Sequence, residues 1–201
     1  MTTAKDLFII AMDPQPDRSV GQGDLSLALA GAELIDLIGA QAVALDGDSI
    51  VPGQLSAPDD RQLGEASAAL VRQVPYEHVE DWLWRRGRDL AAAYQAALEA
   101  DGQLARGRGG RSLFGADRLE VVDSPARSQA LGRWEADEPV LAALAAVVGI
   151  AGGPSEEQPG LDDEAVTTVL AVVNDAVMEL EAVRQRRSIE KAAFANVWRG
   201  P

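Results

Sequence analysis

A compact, mainly α-helical single domain with one or two small β-hairpins is what this sequence predicts, on three grounds. Of the 201 residues 47% are apolar but only 4% aromatic, and Ala, Leu and Val supply most of the apolar share, a balance that suits helices packed closely on helices. Apolar residues recur at steps of three and four along several stretches, which gathers them on one helix face. Pro, Gly and acidic residues fall where helices start and stop. A chain of this length buries one substantial core, and nothing in it requires a second domain between positions 1 and 201.

In chain order, Asp6 to Met12 fits a short helix or a strand, and Asp13-Pro14 ends either one. From Asp24 onward Leu25, Ala28, Leu29, Ala32, Ile35 and Ile38 form one apolar stripe, so a helix runs to Gly39. Ala42 to Leu45 and Ser49 to Val51 flank Asp46-Gly47-Asp48, a turn that tolerates positive φ, and predict a β-hairpin. Pro52, Gly53 and Pro58 make a loop. A helix is predicted from Asp59 to Val71 with Leu63, Ala66 and Leu70 facing inward, then another with Pro75 in its first turn, reaching Trp84.

Asp89 to Ala100 has strong helix propensity, and Gly102 stands where a left-handed cap is wanted. Leu104, Leu113-Phe114 and Leu119 to Val122 alternate with Gly- and Arg-rich turns, predicting a second hairpin or a small three-stranded ribbon. Ser124-Pro125 suits the cap and first turn of a helix to Glu135, and Pro139 opens an apolar helix ending at Gly152-Gly153-Pro154. The polar, Pro-containing stretch at 153–161 is expected to be a mobile loop. Asp162, Asp163 and Glu164 favour the positive end of a long helix to Arg187. The tail from Ser188 to Trp198 either continues that helix or folds back on it.

Composition excludes several chemistries. Cysteine is absent, so there is no disulfide, thiolate metal site or cysteine nucleophile, and His78 is the only histidine, which rules out any site built from several imidazoles. Eighteen basic residues against thirty-two acidic ones give a net charge of −14. Such a chain is repelled by nucleic acid and by anionic bilayers unless its cations gather on one face. The apolar run Leu7 to Met12 is too short for a signal-peptide core, and Val140 to Ala151 falls well under the roughly 18 residues that span a bilayer. A cytoplasmic protein, attached at most to the inner face of the membrane, is expected.

Most local motifs have plain readings. Gly21-Gln22-Gly23 precedes a helix, but Ser26 stands where a dinucleotide fingerprint needs its third glycine, and no P-loop run exists, so no cofactor is implied. Asp46 and Asp48 lack the later ligands of a calcium loop and read as hairpin turn, with no metal site expected. His78 beside Glu77 has no nucleophile elbow to serve and reads as a surface or half-buried histidine. The pairs Asp59-Asp60 and Asp162-Asp163 complement helix dipoles. No catalytic constellation emerges.

Three basic clusters stand out against the acidic background: Arg85, Arg86 and Arg88; Arg106, Arg108 and Arg111; and Arg184, Arg186 and Arg187. Arginine forks suit phosphate, because two parallel N–H bonds match two oxygens, and Trp82 and Trp84 beside the first cluster suit a headgroup interface. Each cluster either forms an anion site or balances neighbouring acids. Arg85, Arg86, Arg88 and Trp82 are the leading lipid- or phosphate-binding candidates, and Arg106, Arg108 and Arg111 a secondary basic patch.

Lys5 to Met12, Leu29-Ala30-Gly31-Ala32-Glu33-Leu34-Ile35-Asp36-Leu37, Val79 to Leu83, Leu98 to Leu104 and Ser112-Leu113-Phe114 follow one another in an order and spacing that resemble the Golgi phosphoprotein 3 family, in a bacterial, actinobacterial-type member. The first two are similar to the family's opening helix and its glycine-containing helix. Val79-Glu80-Asp81-Trp82-Leu83 resembles its Val-x-x-Trp segment, Leu98 to Leu104 the helix end before its ribbon, and Ser112-Leu113-Phe114 the strand after it. The resemblance implies a helical adaptor, not a catalyst, which in eukaryotic members binds phosphatidylinositol 4-phosphate on Golgi membranes and engages cytosolic tails of glycosyltransferases. Carried over by position, Gly21 stands where the family has a headgroup-packing tryptophan and Ala30 where it has an arginine; Arg88 matches one of two later arginines, and Ala91 replaces the other. The family's basic hairpin corresponds to the acidic Ala42 to Val51 turn.

The sequence therefore points to a non-catalytic, Golgi phosphoprotein 3-like binding protein that meets an anionic lipid headgroup or a protein tail through Arg88 and its neighbours. The alternative is a soluble regulator whose helix-plus-ribbon segment acts as a winged-helix module with Arg106, Arg108 and Arg111 on the wing. Net charge opposes that second reading, since DNA affinity depends on phosphate neutralisation.

Overall fold

The computed structural model describes residues 2–13, 20–55, 59–106, 119–150 and 163–197. Among them the elements run α1 (Thr3–Met12), α2 (Gln22–Gly39), β1 (Val43–Asp46), β2 (Ser49–Pro52), α3 (Arg61–Ala68), α4 (Val79–Arg86), α5 (Leu90–Ala100), β3 (Leu104–Arg106), β4 (Leu119–Val121), α6 (Pro125–Glu135), α7 (Pro139–Val147) and α8 (Glu164–Val197). The strands form two separate antiparallel pairs. The fold is mainly helical, as predicted.

The segment that fits helix or strand is a helix, and the reason lies partly in α2. Thr2 Oγ1 accepts from the Lys5 N–H at 3.3 Å, while the Asp36 carboxylate of α2 accepts from the N–H groups of Thr3 and Ala4 at 3.1 and 3.2 Å. These satisfy donors that a helix start otherwise leaves orphaned. α2 itself is central. From Leu25 to Leu37 every residue except Asp36 is buried, the all-round burial of a helix with neighbours on every side. It packs against α1, α3, α4, α5, α7 and α8. Gly31 lets α8 come close, because a methyl group there would collide with Val173 Cγ2.

The first hairpin pairs Val43 with Pro52 and Asp46 with Ser49, with Gly47 at φ 61° in its turn. It also holds the chain ahead of α4: the Ile50 N–H donates to Glu77 O at 2.8 Å and the Val79 N–H to Asp48 O at 2.9 Å. That pairing corrects one expectation. Pro75 lies outside any helix, His78 is the cap, and α4 begins at Val79 and runs past Trp84 to Arg86, because residues 77–78 are committed to the hairpin. α3 is likewise shorter than the predicted Asp59–Val71. Asp60 caps it through the Leu63 N–H at 3.0 Å, and its last turn tightens as Leu70 folds inward, with Leu63, Ala66 and Leu70 all buried.

α5 ends as expected on Gly102 (φ 69°), with the N–H groups of Gly102 and Gln103 returning to Glu99 O and Leu98 O. The same arrangement corrects the end of α7. Gly149 (φ 79°) takes the left-handed cap, so α7 stops at Val147 ahead of Gly152, and Ile150 turns into the core. β3 and β4 pair Leu104 with Val121 and Arg106 with Leu119, while Leu113-Phe114 and the stretch 153–161 lie outside the described residues. Ser124 Oγ caps α6 by accepting from the Arg127 N–H at 3.2 Å. α8 continues unbroken through Ser188 to Val197. No helix among the described residues is long and apolar enough to cross a membrane.

Candidate functional site

The first arginine cluster sits where α4 ends on α2. Gly87 makes that crossing possible: a Cβ there would lie 2.5 Å from Leu83 O and 3.2 Å from Ser26 O, so backbone meets backbone and any larger residue would push the junction apart. The three arginines around this point go three ways.

Arg85 is chelated. Its Nε and Nη2 donate to the two Glu77 oxygens at 2.6 Å each, Nη2 also reaches Ala69 O at 3.1 Å, and the guanidinium lies 5.3 Å from the centroid of the Trp82 ring. Arg86 turns inward. Its Nε and Nη2 donate to both oxygens of Glu33 at 2.8 and 2.9 Å, and the Tyr94 hydroxyl donates to the same carboxylate at 3.1 Å. The Glu33 side chain is completely buried. Burial pushes its carboxyl above the ordinary 4.5, and the hydrogen bonds from Arg86 and Tyr94 pull only part of the way back. Burial, followed by the Glu33 charge, likewise raises the Tyr94 phenol well above 10.0. Trp82 is also an interior residue, fully buried with its Nε1–H donating to Ala30 O at 3.1 Å, so it holds α4 on α2 and has no face for a headgroup.

Arg88 differs from both. It is exposed, and among the described residues no carboxylate pairs with it. It lines a cleft of about 460 Å³ together with Trp84, Gln22, Gly23, Leu27, Ala92 and Leu180, with Asp89 the one carboxylate among the lining residues. Trp84, one helical turn before Arg88, is 36% exposed. Two helix starts converge there. α2 begins at Gln22 on Gly21, which brings no capping side chain, and α5 begins at Leu90 after Asp89, whose φ of 56° turns the chain sharply. Ser26 Oγ accepts from the Ala91 N–H at 3.0 Å and ties the two starts together. Both starts carry the positive end of a helix dipole.

The third cluster reaches the same neighbourhood from the far end of the chain. Arg184 Nη1 contacts both Asp24 oxygens at 2.7 Å, and a Cβ on Gly23 would lie 2.8 Å from Arg184 Nη2. Gly21, where the resemblance led to the expectation of a tryptophan-equivalent position, is overlaid by this Asp24–Arg184 pair. Ala30 and Ala91, at the positions of the missing arginines, are buried. In the second cluster the backbone of Arg106 pairs in the β3–β4 hairpin, while Arg108 and Arg111 lie outside the described residues.

Other charged features are accounted for locally. His78 Nδ1 lies 3.0 Å from Asp48 Oδ1 at a half-exposed surface. Asp6 pairs with Arg133, its other oxygen has no partner among the described residues, and burial raises its carboxyl above 3.8. Burial also raises Asp36, against the pull of the Thr3 and Ala4 hydrogen bonds. No group of three or more Asp, Glu or His side chains among the described residues could hold a metal ion.

Sequence reasoning placed Arg88 among the candidates but missed Trp84's partnership with Gln22, Gly23 and Leu180, which come from helices distant in sequence. Gly87, between two arginines at a helix end, was the local signal that this junction is tight. Together the fold and this junction define a mainly helical protein with an arginine-bearing cleft at a meeting of helix ends. The chain belongs to the Golgi phosphoprotein 3 (GPP34) family, whose model matches residues 4–192. No curated protein matches it.

Proposed function

We propose that this chain is a non-catalytic binding protein that seats a phosphate-bearing lipid headgroup in the Arg88 cleft, at the cytoplasmic face of a membrane. The observation that carries the reading is the contrast at one helix end: Arg85 and Arg86 are occupied by Glu77 and Glu33, whereas Arg88 keeps its fork open beside a half-exposed Trp84. A guanidinium with no carboxylate to satisfy offers two parallel N–H donors to a phosphate. The indole suits the headgroup level of a bilayer, and the starts of α2 and α5 add positive potential. Family membership supports the same reading, since the resemblance implies phosphoinositide binding in eukaryotic members. With Gly21, Ala30 and Ala91 at the other positions, the ligand is the phosphate group itself more than one particular lipid. A non-catalytic role is supported by the buried carboxylates Asp6 and Glu33, which are engaged in ion pairs, and by the half-buried Asp36, which caps a helix, all away from the cleft.

Co-sedimentation with vesicles of phosphatidylcholine doped with phosphatidylinositol 4-phosphate or phosphatidylglycerol tests this. Arg88→Ala is expected to weaken binding about ten- to a hundred-fold, the worth of a charge-assisted bidentate contact. Absence of wild-type binding at low salt, where electrostatic attraction is strongest, discards the lipid reading. Binding of a basic or neutral peptide tail with undiminished affinity in Arg88→Ala would favour a protein partner instead.

A further inference from the structure

We infer that the projecting C-terminal half of α8 is a second contact with an anionic membrane surface, a cationic stripe that begins at the rim of the Arg88 cleft. The inference rests on the lipid reading of that cleft.

α8 has one continuous face with two chemistries. Val169, Val173, Ala176 and Leu180 follow at steps of four, three and four, and they pack against the core. The same spacing continues as Arg184, Arg187 and Lys191, so the face that is apolar against the body becomes cationic where the helix leaves it. The change comes at a definite place. α8 runs antiparallel to α2, with Val173 against Gly31 and Leu180 and Arg184 against Gly23, so at Arg184 it has reached the start of α2. Residues 185–191 are all exposed. From Arg184 to Val197 the helix extends about 20 Å at 1.5 Å per residue.

Leu180 lines the cleft that holds Arg88, so a surface meeting Arg88 also meets the stripe. Arg184 is already held by Asp24 and Glu181, whereas Arg187 and Lys191 have no partner among the described residues. Glu190, the one carboxylate of the projecting segment, sits about 100° around the helix from Lys191 but is the i+3 neighbour of Arg187, so it offsets part of the charge of the inner turn and leaves Lys191 the more open cation. Net charge does not forbid the contact. At physiological salt the Debye length is about 8 Å, and Lys191 stands about 10 Å along the helix from Arg184, so distant acids of the body weigh less there than the local cations. The occupant is an anionic surface and not a second copy, because a symmetric helix pair along this face would set Arg187 and Lys191 against their own copies, where a helix seam needs apolar residues.

The full-length double variant R187Q/K191Q is expected to partition about ten-fold or more less strongly onto phosphatidylglycerol-containing vesicles at about 0.15 M salt, with the difference fading toward about 1 M. That variant is not expected to change binding to pure phosphatidylcholine. R187K/K191R, which keeps the charge, should bind as wild type does. A titration with inositol phosphate, followed by isothermal calorimetry, should be unchanged by R187Q/K191Q and lost in Arg88→Ala. If the double variant sediments like wild type while Arg88→Ala does not, the stripe is overturned and the cleft reading stands. If wild type binds neither vesicle nor inositol phosphate, both fall. Loss of self-association in sedimentation velocity, with vesicle binding intact, would assign the stripe to a protein contact and overturn the membrane assignment. Circular dichroism checks that all three variants keep their helix content, as substitutions at exposed positions should.

Discussion

Arg86 and Arg88 stand two residues apart, on either side of Gly87, and do opposite work. Arg86 enters the interior to meet a fully buried Glu33 and the hydroxyl of Tyr94; Arg88 remains in a cleft with no carboxylate partner among the described residues. The same side chain is structural in one place and available for a ligand in the other. The difference is made by what α2 and α5 present to the end of α4, not by the arginines themselves. A run of like charges in a sequence therefore says little about function until its partners are known.

That contrast can be broken most forcefully from the buried side. Arg86→Ala leaves Glu33 enclosed without its cation, and is expected to cost about 3–5 kcal/mol of unfolding free energy in urea titration. The double replacement E33Q/R86M, which removes both charges together, should recover most of that loss, because an ion pair replaced as a unit is often nearly neutral. A double variant as unstable as Arg86→Ala would mean that the arginine matters for its packing and not for the pair.

pH supplies a smaller and graded test. Burial raises Asp6 and Asp36 above 3.8 and Glu33 above 4.5, so all three hold protons more tightly folded than unfolded. Their contribution to stability is complete below those ordinary values and is lost as pH rises through the raised ones. Unfolding free energy is thus expected to fall with rising pH in the window just above 4.5, with a slope no steeper than about 1.4 kcal/mol per pH unit for each carboxyl. Glu33→Gln should flatten the part of that slope due to Glu33. A stability that climbs with pH over the same window would show that the arginine partners outweigh burial.

The smallest effect is expected on the open side. Arg88→Ala should change unfolding free energy by less than about 0.5 kcal/mol, as for a surface residue with no partner, while its effect on vesicle binding is the large one. A loss of stability comparable to that of Arg86→Ala would erase the distinction between the two residues.

Local rules read much of the fold correctly. The stripe from Leu25 to Ile38 makes α2, Asp46-Gly47-Asp48 turns the first hairpin, Gly102 caps α5 and Ser124-Pro125 starts α6. They failed where two equally good local signals competed or where a distant strand intervened. Gly149 and Gly152 both suit a helix end, and only the burial of Ile150 chooses the first. Pro75 suits a helix start, but the hydrogen bonds of residues 77–79 to the hairpin postpone it. Of the candidate site, Arg88 stood out in the sequence as one of three clustered arginines and Trp84 only as one of two neighbouring tryptophans. Trp82, equally prominent in the sequence, is enclosed by a hydrogen bond to Ala30, fifty-two residues away.

By itself the sequence determined the helical class, the acidic balance, the lack of thiol and multi-imidazole chemistry, and the places where guanidinium groups concentrate, since these depend on composition and on contacts within a turn or two. Only the tertiary structure decided which arginines are neutralised and which remain open, because Glu33 meets Arg86 across fifty-three residues and Asp24 meets Arg184 across one hundred and sixty. Charge is a property of a residue, but its availability depends on what the fold brings within hydrogen-bonding distance.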